Sequence, residues 1–394
     1  MESRGLEPFG RIILNEEQLA GLKTPCFVVN ETRIEENLQI IDRVQKEAGC
    51  KILLAFKGFA MWSLAPLVRK YLPGISASSV NEAFLGREEF GGEVHVYAPA
   101  YSENDMNIHV RLADHIVFNS PNQWEKYKSL IKLNPHISAG LRINPEHSEV
   151  ETKIYDPCAP FSRLGTPYRN FMDNIDKLGG IEGLHFHNLC ELNSDALERT
   201  LKVVEEKFAF YFENLKWINF GGGHHISRSD YDVEKLIHLI KDFRKKYNLQ
   251  VYLEPGEAVA LNAGVLISEV LDTLQNKMEI AILDTSATTH MPDVLEMPYK
   301  PAILNANNPN VKAFTYRLGG PSCLAGDVIG DYSFDTPLKP GDKLVFGDMA
   351  HYSMVKTTTF NGVNLPSIYI YNSDKNEIRL VKHFGYEDFK SRLS

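Results

Sequence analysis

Cysteine is scarce in this chain of 394 residues: five occur, Cys26, Cys50, Cys158, Cys190 and Cys323, with no C-x-x-C pair among them. An odd, widely spaced set excludes a disulfide-stapled scaffold and the usual zinc or redox motifs, so the five read as reduced thiols. Positive charge is also short. The formal net charge of −9 leaves no basic footprint for nucleic acid or an anionic membrane surface. The opening stretch MESRGLEPFGRIIL has neither the basic start nor the apolar core of a targeting signal, and no run approaches transmembrane length. A cytoplasmic protein without a membrane partner is the expectation. Internal repeats and low-complexity linkers are missing as well, which argues against a solenoid or a tether.

What remains is an ordinary globular composition, 43% hydrophobic and 24% charged, on a chain long enough for two domains or one barrel with an appendage. After residue 50, short apolar runs alternate with segments of helical period. The runs are KILLAFK (51–57), GISAS (74–78), EVHVYA (93–98), HIVFNS (115–120), ISAGLRIN (137–144), GIEGLHFHN (180–188), WINFGGG (217–223) and VYLEP (251–255). Between them lie amphipathic stretches such as 194–214 and 231–248, with apolar residues at three- and four-residue steps. Eight βα units predict a TIM-type (β/α)8 barrel rather than an open sheet. From about residue 262 the texture becomes β-rich and turn-broken, which predicts a second, all-β domain. The strand-like TPCFVVN (24–30) falls outside the eight and is expected to join that domain. The expected division is 31–262 for the barrel and 1–30 plus 263–394 for the β-domain.

Chemistry in such barrels sits at the C-terminal strand ends. There the chain places Lys57, Arg142, Asn144, His187, Gly221-Gly222-Gly223 and Glu254. A lysine ending an apolar strand has either reached solvent at the rim or is a desolvated amine with a lowered pKa, the state a nucleophilic lysine needs. Three glycines form either a plain turn or a backbone cradle for phosphate. His185 and His187, two apart, share a strand face. They read as metal ligands, as a core histidine, or as a flat ring to pack on another, and no third ligand has convincing spacing. LEPGEAVA (253–260) raises its own question, because Glu254 and Glu257 flank a Pro-Gly turn where one carboxylate would suffice.

Taken in order, an A-x-K strand end, a histidine after strand six, Gly-Gly-Gly after strand seven, E-P-G after strand eight and G-P-x-C in a β-domain resemble the fold-type III pyridoxal-phosphate decarboxylases. That family includes ornithine and diaminopimelate decarboxylases and shares an alanine-racemase-like barrel. Within it, LLAFKGFA, FSRLG, LHFHNLCE, NFGGGHHI, LEPGEAVALNAG, THMPDVLEMPY, GGPSCLAGDVIGDY and DMAHYSMVKTTTFNG look most like the branch acting on carboxynorspermidine and carboxyspermidine. The resemblance implies a pyridoxal 5'-phosphate enzyme, a cationic polyamine substrate and a homodimer with shared active sites.

Carried onto this chain, the resemblance makes Lys57 the residue that bonds the cofactor and His187 the ring stacked on it. Gly222, Gly223 and Tyr352 hold the phosphate, and Glu254 holds the ring-nitrogen proton. A carboxylate about 4 Å from that cation contributes roughly 4 kcal/mol at an effective dielectric near 20, or about three pKa units. One carboxylate is therefore enough, which frees Glu257 to meet substrate amines together with Asp293 and Asp327. Cys323, from a second subunit, would be the proton donor. No metal is implied. Two departures stand out: Ser76 replaces the aspartate of the ornithine branch, and E-P-G-E replaces E-P-G-R, whose arginine assists the phosphate. Alternatives are a decarboxylase of ornithine, arginine or diaminopimelate, a racemase, and a non-catalytic cofactor- or polyamine-binding protein.

Overall fold

In the computed structural model, which describes residues 7–12 and 14–394, the chain divides into two compact units, 37–259 and 1–36 with 260–394. Part of the amino-terminal stretch read above, residues 1–6 and 13, lies outside the described residues. The dividing line near residue 36 falls inside the helix Glu31–Ala48, between the expected boundary and the end of that helix.

The first unit is the barrel. Its strands are Lys51–Ile52 with Leu54–Ala55, then Gly74–Ala77, Glu93–Tyr97, His115–Phe118, Ser138–Asn144, Gly183–His185, Trp217–Asn219 and Gln250–Leu253. Every neighbouring pair is parallel. The ring closes where Tyr252 and Leu253 pair with Lys51 and Ile52. All eight predicted strands are present, but several are shorter than the apolar run that signalled them. The run 217–223 leaves the ladder after Asn219 because Gly221 takes φ +71°. Outside the ring, helix Ser194–Phe208 buries Leu197, Leu201, Val204 and Phe208, and helix Val233–Tyr247 buries Leu236, Ile237, Ile240 and Phe243. Their three- and four-residue steps turn one stripe inward. Asp232 caps the second helix at its start, and Asn248 at φ +55° ends it. Leu53, Val117, Trp217 and Tyr252 fill the barrel interior. The Trp217 indole leaves no room for a side chain at Gly183, where a Cβ would stand 2.1 Å from it.

The second unit is built on an eight-stranded sheet. Cys26–Asn30 pairs antiparallel with Gly264–Asn276 and parallel with Ser367–Asn372, so the early strand does join the later β-rich region. Its alternation sends Phe27 and Leu266 into one core and Cys26, Val28, Val265 and Ile267 into another. Gly264–Asn276 also pairs with Met278–Leu283 and Lys343–Phe346, which makes it the spine of the unit.

Candidate active site

The first strand of the barrel ends in a turn that presents Lys57 at the C-terminal mouth. The N–H of Gly58 closes that turn on the Ala55 carbonyl at 3.1 Å. A Cβ at Gly58 would lie 3.1 Å from Gly256 and Glu257 backbone atoms, so the lysine turn is packed on the Glu-Pro-Gly turn. Lys57 Nζ stands 3.1 Å from His187 Nε2. Among the described residues no carboxylate forms a salt bridge with it.

The hydrogen bonds around His187 set the protonation of both groups. The Gly222 N–H donates to His187 Nδ1 at 2.7 Å, so a neutral ring carries its proton on Nε2. That N–H faces Lys57 Nζ, which can accept it only as a free amine. The electrostatics agree. Desolvation by the surrounding rim, then the Arg142 guanidinium, lowers the Lys57 pKa, with Glu254 opposing. Although Lys57 is accessible in the open mouth, protein surrounds it closely enough for desolvation to dominate. Burial, then Lys57 and Arg142, likewise pushes His187 well below its ordinary value. The two readings of Lys57 thus combine: it reaches the mouth and is desolvated there.

Glu254 ends the eighth strand almost fully buried, at 9% exposure. Asn219 Nδ2 donates to its Oε1 at 2.7 Å, and His185 Nε2 lies 3.4 Å from its Oε2. Burial favours the protonated acid, but the His185 and Asn219 contacts outweigh it and hold the carboxyl below the usual range. Asn219 Oδ1 also accepts from the Gly221 N–H at 2.8 Å, which ties the carboxylate to the glycine turn. A Cβ on Gly221, Gly222 or Gly223 would come within 2.4 Å or less of a carbonyl oxygen of Phe186, Glu254 or Leu189. The three glycines therefore let the backbone of three loops converge. Arg142 donates to the His187 carbonyl at 3.0 Å and lies 4.6 Å from the Tyr97 ring centroid. His185 and His187 serve different partners, Glu254 and Lys57, rather than one shared ion.

Three details depart from the sequence reading. The Gly222 N–H is committed to His187, so of the two glycines expected at the phosphate only Gly223 is not turned to that ring. Asp327 was expected to meet substrate, but it is only 4% exposed and its oxygens accept from Ser286 Oγ, Ser322 Oγ and the Ala287 N–H at 2.8, 2.6 and 2.7 Å. A carboxylate so saturated organises the 320–327 turn rather than a ligand. Asp293 is paired with Lys356, which also holds Glu296 at 2.7 Å.

In the same β-unit Cys323 is exposed on that turn, its N–H bonded to Asn361 Oδ1 at 2.8 Å. Tyr352 is half-buried at φ +42°, an uncommon backbone state for a bulky residue and one that concentrates at functional positions. Sequence reasoning missed Asn219 and the pairing of His185 with Glu254. The only signal for Asn219 was its place on the seventh strand, next to the eighth, whereas His185 lies on the sixth, one strand further round.

Residues 26–350 match the family described as pyridoxal-dependent decarboxylase, C-terminal sheet domain. The chain belongs to the pyridoxal-dependent decarboxylases. The carboxyaminopropylagmatine decarboxylase of Synechocystis is 46% identical over 98% of this chain and 100% of its own length. The carboxynorspermidine/carboxyspermidine decarboxylase of Campylobacter jejuni is 45% identical, over 94% of this chain and 98% of its own. The crystal structure of carboxynorspermidine decarboxylase from that organism, complexed with norspermidine, superposes with a TM-score of 0.86 at 44% identity, covering 94% of this chain and 100% of the other. Diaminopimelate decarboxylase from Helicobacter pylori, at 18% identity, TM-score 0.78 and coverage of 96% and 98%, shares the fold.

This decarboxylase uses pyridoxal 5'-phosphate, and its barrel mouth fits that group. A free amine, a flat neutral imidazole, an ionised buried carboxylate and a side-chain-free glycine turn answer in turn to its aldehyde, ring, ring nitrogen and phosphate. Among the described residues no helix is long and apolar enough to cross a membrane.

Proposed function

We propose that this decarboxylase removes CO2 from carboxynorspermidine or carboxyspermidine, giving norspermidine or spermidine in polyamine biosynthesis. The similarity to the Campylobacter jejuni enzyme, whose structure holds norspermidine, carries this reading. In it the protein is a cytoplasmic homodimer with shared active sites. The bound cofactor supplies an aldehyde and a ring that takes up the electron pair left by CO2.

The chain's residues do the rest. Lys57, kept as a free amine by desolvation and by the His187 N–H, is the nucleophile that bonds the cofactor. The His187 ring, oriented by the Gly222 N–H, packs against the cofactor. Glu254, held ionised, keeps a proton on the ring nitrogen. Gly223 and Tyr352 hold the phosphate, and Cys323 of a second subunit returns a proton to the carbon that lost CO2. Glu257 and the acidic pair Asp293 and Glu296, both of which contact Lys356, meet the substrate amines. Asp327 acts behind them as a positioning residue for the Cys323 turn.

A second reading is decarboxylation of carboxyaminopropylagmatine, favoured by the 46% identity to the Synechocystis enzyme. The candidates share a reacting amino-acid end and differ in a distal amine or guanidine. The test is CO2 release by the cofactor-loaded protein offered these three substrates, ornithine, arginine and diaminopimelate in parallel. Turnover restricted to carboxynorspermidine and carboxyspermidine is expected. Preference for the agmatine derivative selects the second reading, and turnover of a simple amino acid rejects both.

A further inference from the structure

In the β-unit the segment 358–364 is tied to the turn that carries Cys323. The Cys323 N–H donates to Asn361 Oδ1 at 2.8 Å, its one acceptor among the described residues. Asn361 stands at φ +54° and ψ 15°, a left-handed state that interrupts a short helical turn and that asparagine adopts more readily than most side chains. Gly362 follows at φ +72°. Two consecutive left-handed residues bend the chain sharply, and the Asn361 amide meets the cysteine turn. Asp327 anchors that turn too, but its bonds stop at Ser322. The tether at the cysteine itself is Asn361.

The segment is pinned on several sides, so a fixed backbone presents the amide. The Thr358 N–H donates to the Thr289 carbonyl at 2.9 Å. Fully buried His290 accepts the Ser286 N–H on Nδ1 at 3.2 Å, so a neutral ring carries its proton on Nε2 and donates it to the Asn364 carbonyl at 2.9 Å. Beyond the carboxy-terminal helix Tyr386–Lys390, Arg392 reaches Thr359 Oγ1. Within that helix Phe389 packs its ring on Gly362, where a Cβ would stand 3.5 Å from it. The ties form a closed circuit. Residues 286–290 hold Asn364 through His290 and Ser322 through Asp327, and Asn361 joins the two arms at Cys323.

We propose that Asn361 is a positioning residue for the Cys323 thiol, holding it where its proton reaches the carbon that lost CO2. The proposal rests on the reading of Cys323 as the proton donor. Proton transfer needs the donor within hydrogen-bond reach, so a displaced thiol has a chemical signature. The electron pair left by CO2 then takes its proton at the aldehyde carbon of the cofactor instead. Water releases the substrate carbon as an aldehyde, and the substrate nitrogen stays on the cofactor as pyridoxamine phosphate.

The test compares cofactor-loaded wild type, Asn361→Gly, Asn361→Asp and Cys323→Ala on carboxynorspermidine, measuring CO2, amine and pyridoxamine phosphate. Glycine keeps the left-handed backbone and removes the acceptor, whereas aspartate keeps both. Wild type should form amine in step with CO2. Asn361→Gly should raise pyridoxamine phosphate per CO2 by about threefold or more, the scale for losing one hydrogen bond, with its urea midpoint near that of wild type. Asn361→Asp should recover most of the difference. A glycine variant that matches wild type would overturn the proposal, since only the backbone bend would then matter. Equal losses in the glycine and aspartate variants would overturn it as well. Alkylation of Cys323 by iodoacetamide, read by peptide mass, is a readout free of turnover and should be about threefold or more faster in Asn361→Gly. Should Cys323→Ala partition its product like wild type, or wild type leave carboxynorspermidine intact, the reading of the donor or of the substrate falls. Alkylation still decides the tether in either case, and an unchanged rate in Asn361→Gly rejects it.

Discussion

The two ends of the barrel hold nearly the same residues and use them differently. At the N-terminal end Lys51, Glu93, His95 and His115 cluster inside the ring. Lys51 is paired with Glu93, His95 Nε2 is 3.2 Å from the same carboxylate, and the two imidazoles stack at 3.9 Å between centroids, 12° apart in plane. Burial alone would raise the Glu93 pKa, but His95 and Lys51 bring it down to about 2. At the C-terminal mouth Lys57, Glu254, His185 and His187 make the corresponding set, with the lysine and the carboxylate kept apart. The lysine meets an imidazole and the carboxylate meets an amide and an imidazole. Opposite charges that neutralise each other give structure. When they are separated and desolvated, they give a free amine and an ionised acid ready for chemistry.

That contrast predicts separable effects. Lys57→Ala should lower CO2 release by three or more orders of magnitude, while its urea midpoint stays at or above that of wild type, since a desolvated amine is removed. Equal losses of stability and turnover would erase the distinction between the two ends. Glu254→Gln, which keeps shape and Asn219 contact, should reduce kcat by about a hundredfold, the scale for losing one preorganised electrostatic partner, with little change in unfolding.

At the other end Glu93→Gln should cost about 1–3 kcal/mol of stability by leaving Lys51 without its partner, read by urea unfolding, with kcat unchanged. The smallest effect is on pH. Because the folded pKa of Glu93 is depressed, its contribution is present above the unfolded carboxylate value near 4.5 and is lost as pH falls through about 2. Stability measured across that window should fall less steeply in Glu93→Gln than in wild type.

The barrel was legible because each strand is a short apolar run between amphipathic segments, a pattern carried locally. Lys57, His187 and Glu254 were legible because strand ends fix their place. His185 was visible as a neighbour of His187, but its partner Glu254 comes from a strand more than sixty residues later, and strand spacing does not announce such a pairing. Asp327 misled for the same reason, since the groups that saturate it include Ser286 and Ala287, brought in by a separate turn. Gly222 lies in the glycine turn read from the sequence, yet whether its N–H is engaged depends on the His187 rotamer, which sequence does not specify.

The most direct test of the central claim is to reduce the cofactor-loaded protein with borohydride and map the pyridoxyl mass by peptide sequencing. The separated-charge account predicts the label on Lys57, with Lys51 unmodified. A label on Lys51 or another lysine, or CO2 release without any adduct at Lys57, would contradict it.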